Sequence, residues 1–154
     1  MGYFGRIVVA RSTRPLAELA AVGDVDVLDE VVHDGDWRVA TLDGDLERGA
    51  LRALVAETGA PALWAYVIDS DTADVTGLTP GGVSWHAYLH AETALRYGAP
   101  ALADPVEDVV GTALSWAAAA GLSPAASALG EALAADGTFV EDTLDELLDA
   151  LGIH

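Results

Sequence analysis

The stretch 61–90, PALWAYVIDSDTADVTGLTPGGVSWHAYLH, decides how the chain folds. Residues 62–69 (ALWAYVID) are apolar at successive positions. Alternate side chains of a strand point to opposite sides of a sheet, so a strand of this kind is covered on both faces. An acidic turn, DSDTAD, leads into a second strand over 73–78, and Thr79-Pro80-Gly81-Gly82 turns the chain into a third over 83–89. There Val83, Trp85, Ala87 and Leu89 share one face, while Ser84, His86, Tyr88 and His90 share the other. This is the clearest period-two pattern in the chain.

Upstream, residues 4–11 (FGRIVVAR) are a β-branched apolar run that reads as a first strand. Residues 12–15 break it, and PLAELAAVGD predicts a short helix or turn ending near Gly23. Residues 25–33 (VDVLDEVVH) predict a second strand, Asp34-Gly35 a hairpin turn, and residues 37–42 (WRVATL) the returning strand. Asp45 is placed to cap a helix over LERGALRALVAET, with Gly59 just past its end, where a left-handed residue is favoured. The element order to residue 69 is β-α-β-β-α-β, that of a ferredoxin-like sheet. Two helices on one face cannot cover strands that are apolar on both, so the C-terminal helices are expected on the other.

Downstream, AETALRYG predicts a short helix ending at Gly98, and GAPALADP a turn-rich joint. Asp104, Pro105 and Glu107 mark the start of a helix running to Gly121, apolar over most of its circumference and so expected to be largely buried. Ser123-Pro124 begins another, ending near Gly137. Thr138 and Glu141 have the spacing of a capping box, and Val140, Leu144, Leu147, Leu148 and Leu151 line one face of a last helix whose other face is acidic. The expectation is one α+β domain over 1–154, a ferredoxin-like βαββαβ sheet with an added β-hairpin and a C-terminal layer of helices. Its sheet-rich half covers about 1–98 and its helical half about 99–154.

Composition excludes more than it assigns. With 52% hydrophobic residues the chain has enough apolar surface to fold, and no apolar run is long enough for a membrane span. The segment MGYFGRIVVARS has neither the apolar length nor the cleavage site of a signal peptide, which predicts a cytoplasmic location. Absence of cysteine excludes disulfides, thiolate metal sites and thiol nucleophiles; absence of lysine excludes a P-loop and Schiff-base chemistry. Arginine without lysine, with abundant alanine and acids, is the composition of a GC-rich bacterial genome. The formal net charge is −18, and the segment after Arg96 contributes −10 of it, from ten acids and no arginine. Nucleic acid and anionic membranes need clustered bases, so neither is an expected partner. A basic protein is, and a homo-oligomer is compatible with the sequence.

Candidate site residues fall in the opening stretch. Asp69, Asp71 and Asp74 are oxygen donors, but their spacing is not that of an EF-hand loop, and Asp and Ser are also ordinary turn residues. His86 and His90 have the i, i+4 spacing of a zinc-binding helix but lack its glutamate. On a strand they stand ~13 Å apart, too far for one metal. The polar row is therefore read as a groove lining or a solvent-facing surface, with no metal and no cofactor assigned. No G-x-S-x-G elbow or G-x-G-x-x-G loop occurs; Ser84, His86 and Asp71 could be arranged as a triad only without any motif. The four tryptophans read as packing residues. Acids near the end of the last helix, such as Asp149, oppose its dipole, so helix stability does not call for them. The function expected is a non-catalytic binding or regulatory protein, inhibitor- or immunity-like, recognising a basic partner. The alternative is a small enzyme or ligand- or metal-binding protein using Asp69, Asp71, Asp74, Ser84, His86, Tyr88 and His90.

Overall fold

The computed structural model describes residues 2–154. Six strands form one open antiparallel sheet: β1 (Gly5–Arg11), β2 (Val27–Val32), β3 (Trp37–Leu42), β4 (Ala62–Ile68), β5 (Thr72–Leu78) and β6 (Ser84–Leu89). Their spatial order is β2-β3-β1-β4-β5-β6, and every neighbouring pair is antiparallel. Five α-helices accompany them: α1 (Ala50–Thr58), α2 (Ala91–Arg96), α3 (Val106–Ala119), α4 (Ala126–Ala134) and α5 (Val140–Leu151). The four-stranded ferredoxin-like sheet is not what the complete sheet forms. The sheet runs on through β5 and β6, and the first crossover holds only a 3-10 turn at Leu16–Glu18 in place of a helix. PLAELAAV is too short and too punctuated by Pro15 and Gly23 to nucleate a longer one.

Because β1 and β4 are apolar on both faces, the sheet carries two cores. On one face Val8, Ala10, Ala40, Leu42, Ala62 and Trp64 meet α1 and the 3-10 segment through Leu16, Leu19, Leu51, Leu54 and Val55. On the other, Ile7, Val9, Leu63, Ala65, Val67 and Val75 meet α3, α4 and α5. The C-terminal helices thus form the second layer, as double-sided strands require.

Three tryptophans anchor that layer. Trp116 of α3 is fully buried between Trp37 (centroids 6.0 Å apart) and Trp85 (6.4 Å, edge-on). Its indole N–H points at two carbonyls, Ala62 at 3.0 Å and Leu78 at 3.1 Å, which are register partners at the end of the β4–β5 pair. The apolar bulk is buried while the polar handle is satisfied at a sheet terminus. Gly77 lies opposite Trp85, and the Trp85 indole occupies the space where a side chain of residue 77 would stand. A glycine inside a strand here marks a close approach.

Several helix ends differ from expectation. α1 begins at Ala50 behind Gly49, not at Asp45, whose carboxylate instead pairs with Arg6 at 2.7 Å. Gly59 does close α1 in the left-handed region (φ 67), its N–H bonded to the Val55 carbonyl. Pro105 is the residue before α3, and α3 is not buried around its circumference: Val109, Ala113, Trp116 and Ala117 face the sheet while Val106, Thr112 and Ser115 face out. The exposed positions are mostly small, so their burial is not demanded. Thr138 does not cap α5; Phe139 precedes it with no side-chain cap. The acidic amphipathic pattern of α5 holds, with Val140, Leu144, Leu147, Leu148 and Leu151 buried. Among the described residues no helix is long and apolar enough to cross a membrane.

Replacing Gly77 by Ala forces a methyl into the Trp85 ring. The expected loss is about 1–3 kcal/mol in urea unfolding. In a Trp85→Leu background the same change costs clearly less; equal costs in both backgrounds would refute the contact as its cause.

Candidate functional site

The residues expected to form one site are divided among separate tasks. Asp69 and Ser70 lie in the β4–β5 turn with φ of 52° and 54°, and the Asp71 N–H bonds the Ile68 carbonyl across it. Positive φ at both central positions is what a type I′ turn needs, and short polar side chains tolerate it. The three aspartates then diverge. Asp69 accepts the Gly2 N–H at 2.7 Å, Asp71 accepts the Tyr97 hydroxyl, and Asp74 meets His86. Among the described residues no three His, Asp or Glu side chains converge as metal ligands.

The polar row of the last strand is also divided. Ser84 and His86 are exposed, whereas Tyr88 and His90 are buried. His90 leaves the strand in a left-handed conformation (φ 54) ahead of α2. Its Nδ1 donates to the Asp71 carbonyl at 2.7 Å, and its Nε2 meets the Thr143 hydroxyl at 2.7 Å. His90 therefore joins β5, β6 and α5 and is a fold residue. The Ser84–His86–Asp71 triad does not form, because Asp71 is held by Tyr97 and Ser84 stands opposite Leu78 at the far end of the pair.

Ser70, which no sequence motif singles out, is the centre of this region. It is buried, its N–H donates to the Tyr3 carbonyl (3.0 Å) and its hydroxyl accepts the Tyr3 N–H (2.8 Å). The hydroxyl donates to Glu141 Oε2 (2.8 Å), and its carbonyl accepts the Val140 N–H (2.8 Å). Glu141, expected to close a capping box, is instead drawn to the sheet turn.

His86 and Asp74 form the closest histidine–carboxylate pair of the row, Nε2 to Oδ1 at 2.5 Å against 3.8 Å for His90 and Asp136, with the Tyr88 ring edge-on to the His86 imidazole at 5.2 Å. The hydrogen bond to Asp74 raises the His86 pKa above its ordinary value, against a smaller opposing effect of burial. Both side chains remain nearly half exposed.

A larger cavity lies elsewhere. α5 runs from the β4–β5 turn to the β2–β3 hairpin, where the Asp34 N–H bonds the His154 carbonyl. This leaves a cleft of about 580 Å³ between α5 and the β1–β3–β2 margin of the sheet. Its floor is apolar, from Ile7, Val39, Leu144, Leu148 and Ile153, and Asp29, Glu141, Asp145 and Asp149 surround it. Tyr3, His33 and His154 complete the walls, and no arginine lines them. Glu141 Oε1 is buried with no hydrogen-bond partner among the described residues. Partial desolvation, then the charges of Asp142 and Glu141, raise the Asp145 pKa, with His33 pulling it down. Burial, with Asp43 and Glu141 adding to it, pushes the Tyr3 phenol up to about 12, so Tyr3 stays protonated and donates to the Leu42 carbonyl. The described lining residues of the cleft carry four carboxylates and no arginine, and Asp149 is paired with His154 at 2.6 Å. A signal for it is present in VDVLDEVVH, whose Asp29, Val31 and His33 share one strand face.

Two outcomes test these assignments. Ser70→Ala strands the Tyr3 N–H and the Glu141 carboxylate, and loses roughly 2–4 kcal/mol of stability in denaturant unfolding. His86, followed by its ring-proton NMR titration, has a pKa above 6.5 that falls in Asp74→Asn. Since the folded pKa is raised, the pair's stabilisation is full below the ordinary histidine value and is lost as pH rises through the raised one. For so exposed a pair it amounts to ~0–1 kcal/mol. Protein-family models, curated proteins and solved structures give no match to this chain, so the chemistry of both regions has to be taken from their own side chains.

Proposed function

We propose that this is a non-catalytic binding protein, inhibitor- or immunity-like in character, whose α5 cleft receives a basic, partly apolar segment of a partner protein. The observation that carries the reading is the composition of the cleft: an apolar floor with four carboxylates around it, two histidines, one of them paired with Asp149, and no arginine among the lining residues. Carboxylates crowded at a partly desolvated wall repel one another, and a cation entering from outside relieves that repulsion. An apolar floor adds affinity for the non-polar part of the same segment. The high net negative charge steers such a partner towards the protein at long range. We place this activity in a bacterial cytoplasm, on a sheet whose first four strands, in the order β2-β3-β1-β4, we read as a ferredoxin-like core lacking its first helix and extended by β5 and β6.

The test uses a labelled peptide of alternating arginine and valine, with fluorescence anisotropy as the readout. Binding is expected at low salt, weakening steeply as ionic strength rises. Combined Asp29→Asn, Asp145→Asn and Asp149→Asn substitutions lower affinity at least tenfold, whereas the same number of neutralisations at Asp104, Glu107 and Asp108 changes it little. Affinity indifferent to salt, or reduced equally by both sets, would overturn the cleft as the recognition site.

A further inference from the structure

The opposite face of the sheet holds a second, smaller cavity. Its volume is about 300 Å³, at the small end of ligand sites, and it lies between β4–β6 and the chain that follows α2. Its walls are Tyr66, Tyr88, Tyr97 and Pro100, with Asp74 on the sheet side. The strand register brings these together: Tyr66 is paired with Asp74 and Asp74 with Tyr88, so three neighbouring strands place their side chains in one row. Tyr97, half exposed, stands on the far side.

Two of the three tyrosine hydroxyls of this pocket are already donated within the protein. Tyr88 donates its hydroxyl proton to the Pro100 carbonyl at 2.8 Å, and Tyr97 donates its own to Asp71. Asp74 has one oxygen on His86, leaving the other as an acceptor. What the pocket offers a guest is aromatic surface and negative charge, with the Tyr66 hydroxyl the only side-chain donor that lacks a partner among the described lining residues. A sugar or a carboxylate needs donors and is poorly served. An ammonium ion needs none, and a methylated one also gains from contact of its methyl groups with the rings. The same sheet face already holds a cation in this manner: the Arg6 guanidinium sits 4.0 Å from the Trp64 ring centroid and 5.0 Å from that of Tyr66.

The geometry points to a binding site for a small quaternary ammonium ion, between the rings of Tyr88 and Tyr97, with Tyr66, whose ring also meets Arg6, at its wall and the Asp74 carboxylate beside it. This site is independent of the α5 cleft, and its failure would leave the reading of that cleft untouched.

Choline is the probe, and its neutral isostere 3,3-dimethyl-1-butanol the comparison, each titrated into the full chain at constant ionic strength set with sodium chloride. NMR of the tyrosine ring protons reports the site. Saturable shifts of Tyr66, Tyr88 and Tyr97 are expected with choline, at an affinity about tenfold or more above that of the isostere. Tyr97→Leu weakens choline binding about tenfold, while Tyr97→Phe, which keeps the ring, retains most of it. Asp74→Asn weakens choline several-fold without changing the isostere. Tyr97 lies at the surface, so these variants fold, and a parallel thermal melt confirms it. Equal affinity for choline and the isostere would identify an apolar pocket without cation selectivity and overturn the proposal. So would the absence of saturable shifts, or full binding by Tyr97→Leu.

Discussion

Every polar group of Ser70 is bonded, and the placement of α5 depends on it. Two bonds tie the turn to Tyr3, one ties its hydroxyl to Glu141, and one ties its carbonyl to the first residue of α5. Ser70 and Asp69 both sit in the left-handed region, which costs a non-glycine residue roughly 1–2 kcal/mol. Such a conformation persists where the surroundings over-determine it. Here the surroundings are the N-terminal segment, the α5 terminus and, through Asp71 and Thr143, the buried His90. The acidic turn that looks like a ligand site in the sequence is a clasp joining chain segments some seventy residues apart.

From that clasp the two cavities follow. α5 is pinned at one end by Ser70 and at the other by the bond between Asp34 and His154. It covers β1, and α3 and α4 cover the strands on the β6 side. The margin at β3 and β2 extends beyond α5, and the cleft is the space under that overhang. On the other face α1 packs over β1 and β4. The sheet again extends past α1, and there α2 and the chain after it cover Tyr88 while Asp74 and His86 stay nearly half exposed. A six-stranded sheet is wider than the helices laid on it, and the polar residues of β2, β5 and β6 occupy the uncovered strips.

Much of this architecture is legible in the sequence for a simple reason. Strands 62–68 and 5–11 are apolar on both faces, and WRVATL, SWHAYL and the α5 repeat have periods that only one kind of element fits. What escapes is whatever depends on side chains meeting across long separations. Asp45 has the position of a helix cap, but Arg6 lies across the sheet and takes it. Glu141 has the spacing of a capping box, but the Ser70 hydroxyl is closer. The helical reading of His86 and His90 fails by distance, as the alternation implies. The pairing of His86 with Asp74, however, appears only once the β5–β6 register sets Thr76 opposite His86. Circumferential apolarity misleads at α3, because alanine and glycine tolerate exposure as readily as burial.

The acidity of the chain admits a compositional explanation, and that explanation covers some residues better than others. Asp142 and Glu146 are exposed, and nothing in the fold distinguishes them from charges that keep a protein soluble. Asp149 is paired with His154 at 2.6 Å, which offsets its unfavourable place near a helix C-terminus. Glu141 differs in kind, since it is half-buried where Asp145, like Asp142 and Glu146, is exposed. Asp145 and Glu141 both line the apolar-floored cleft: partial desolvation, then neighbouring carboxylates, raises the Asp145 pKa, and one Glu141 oxygen is buried with no hydrogen-bond partner among the described residues. Compositional drift adds charge where it costs little, at open surface. Glu141 stands where partial burial and a neighbouring carboxylate make a charge costly, so drift is the weaker account of it.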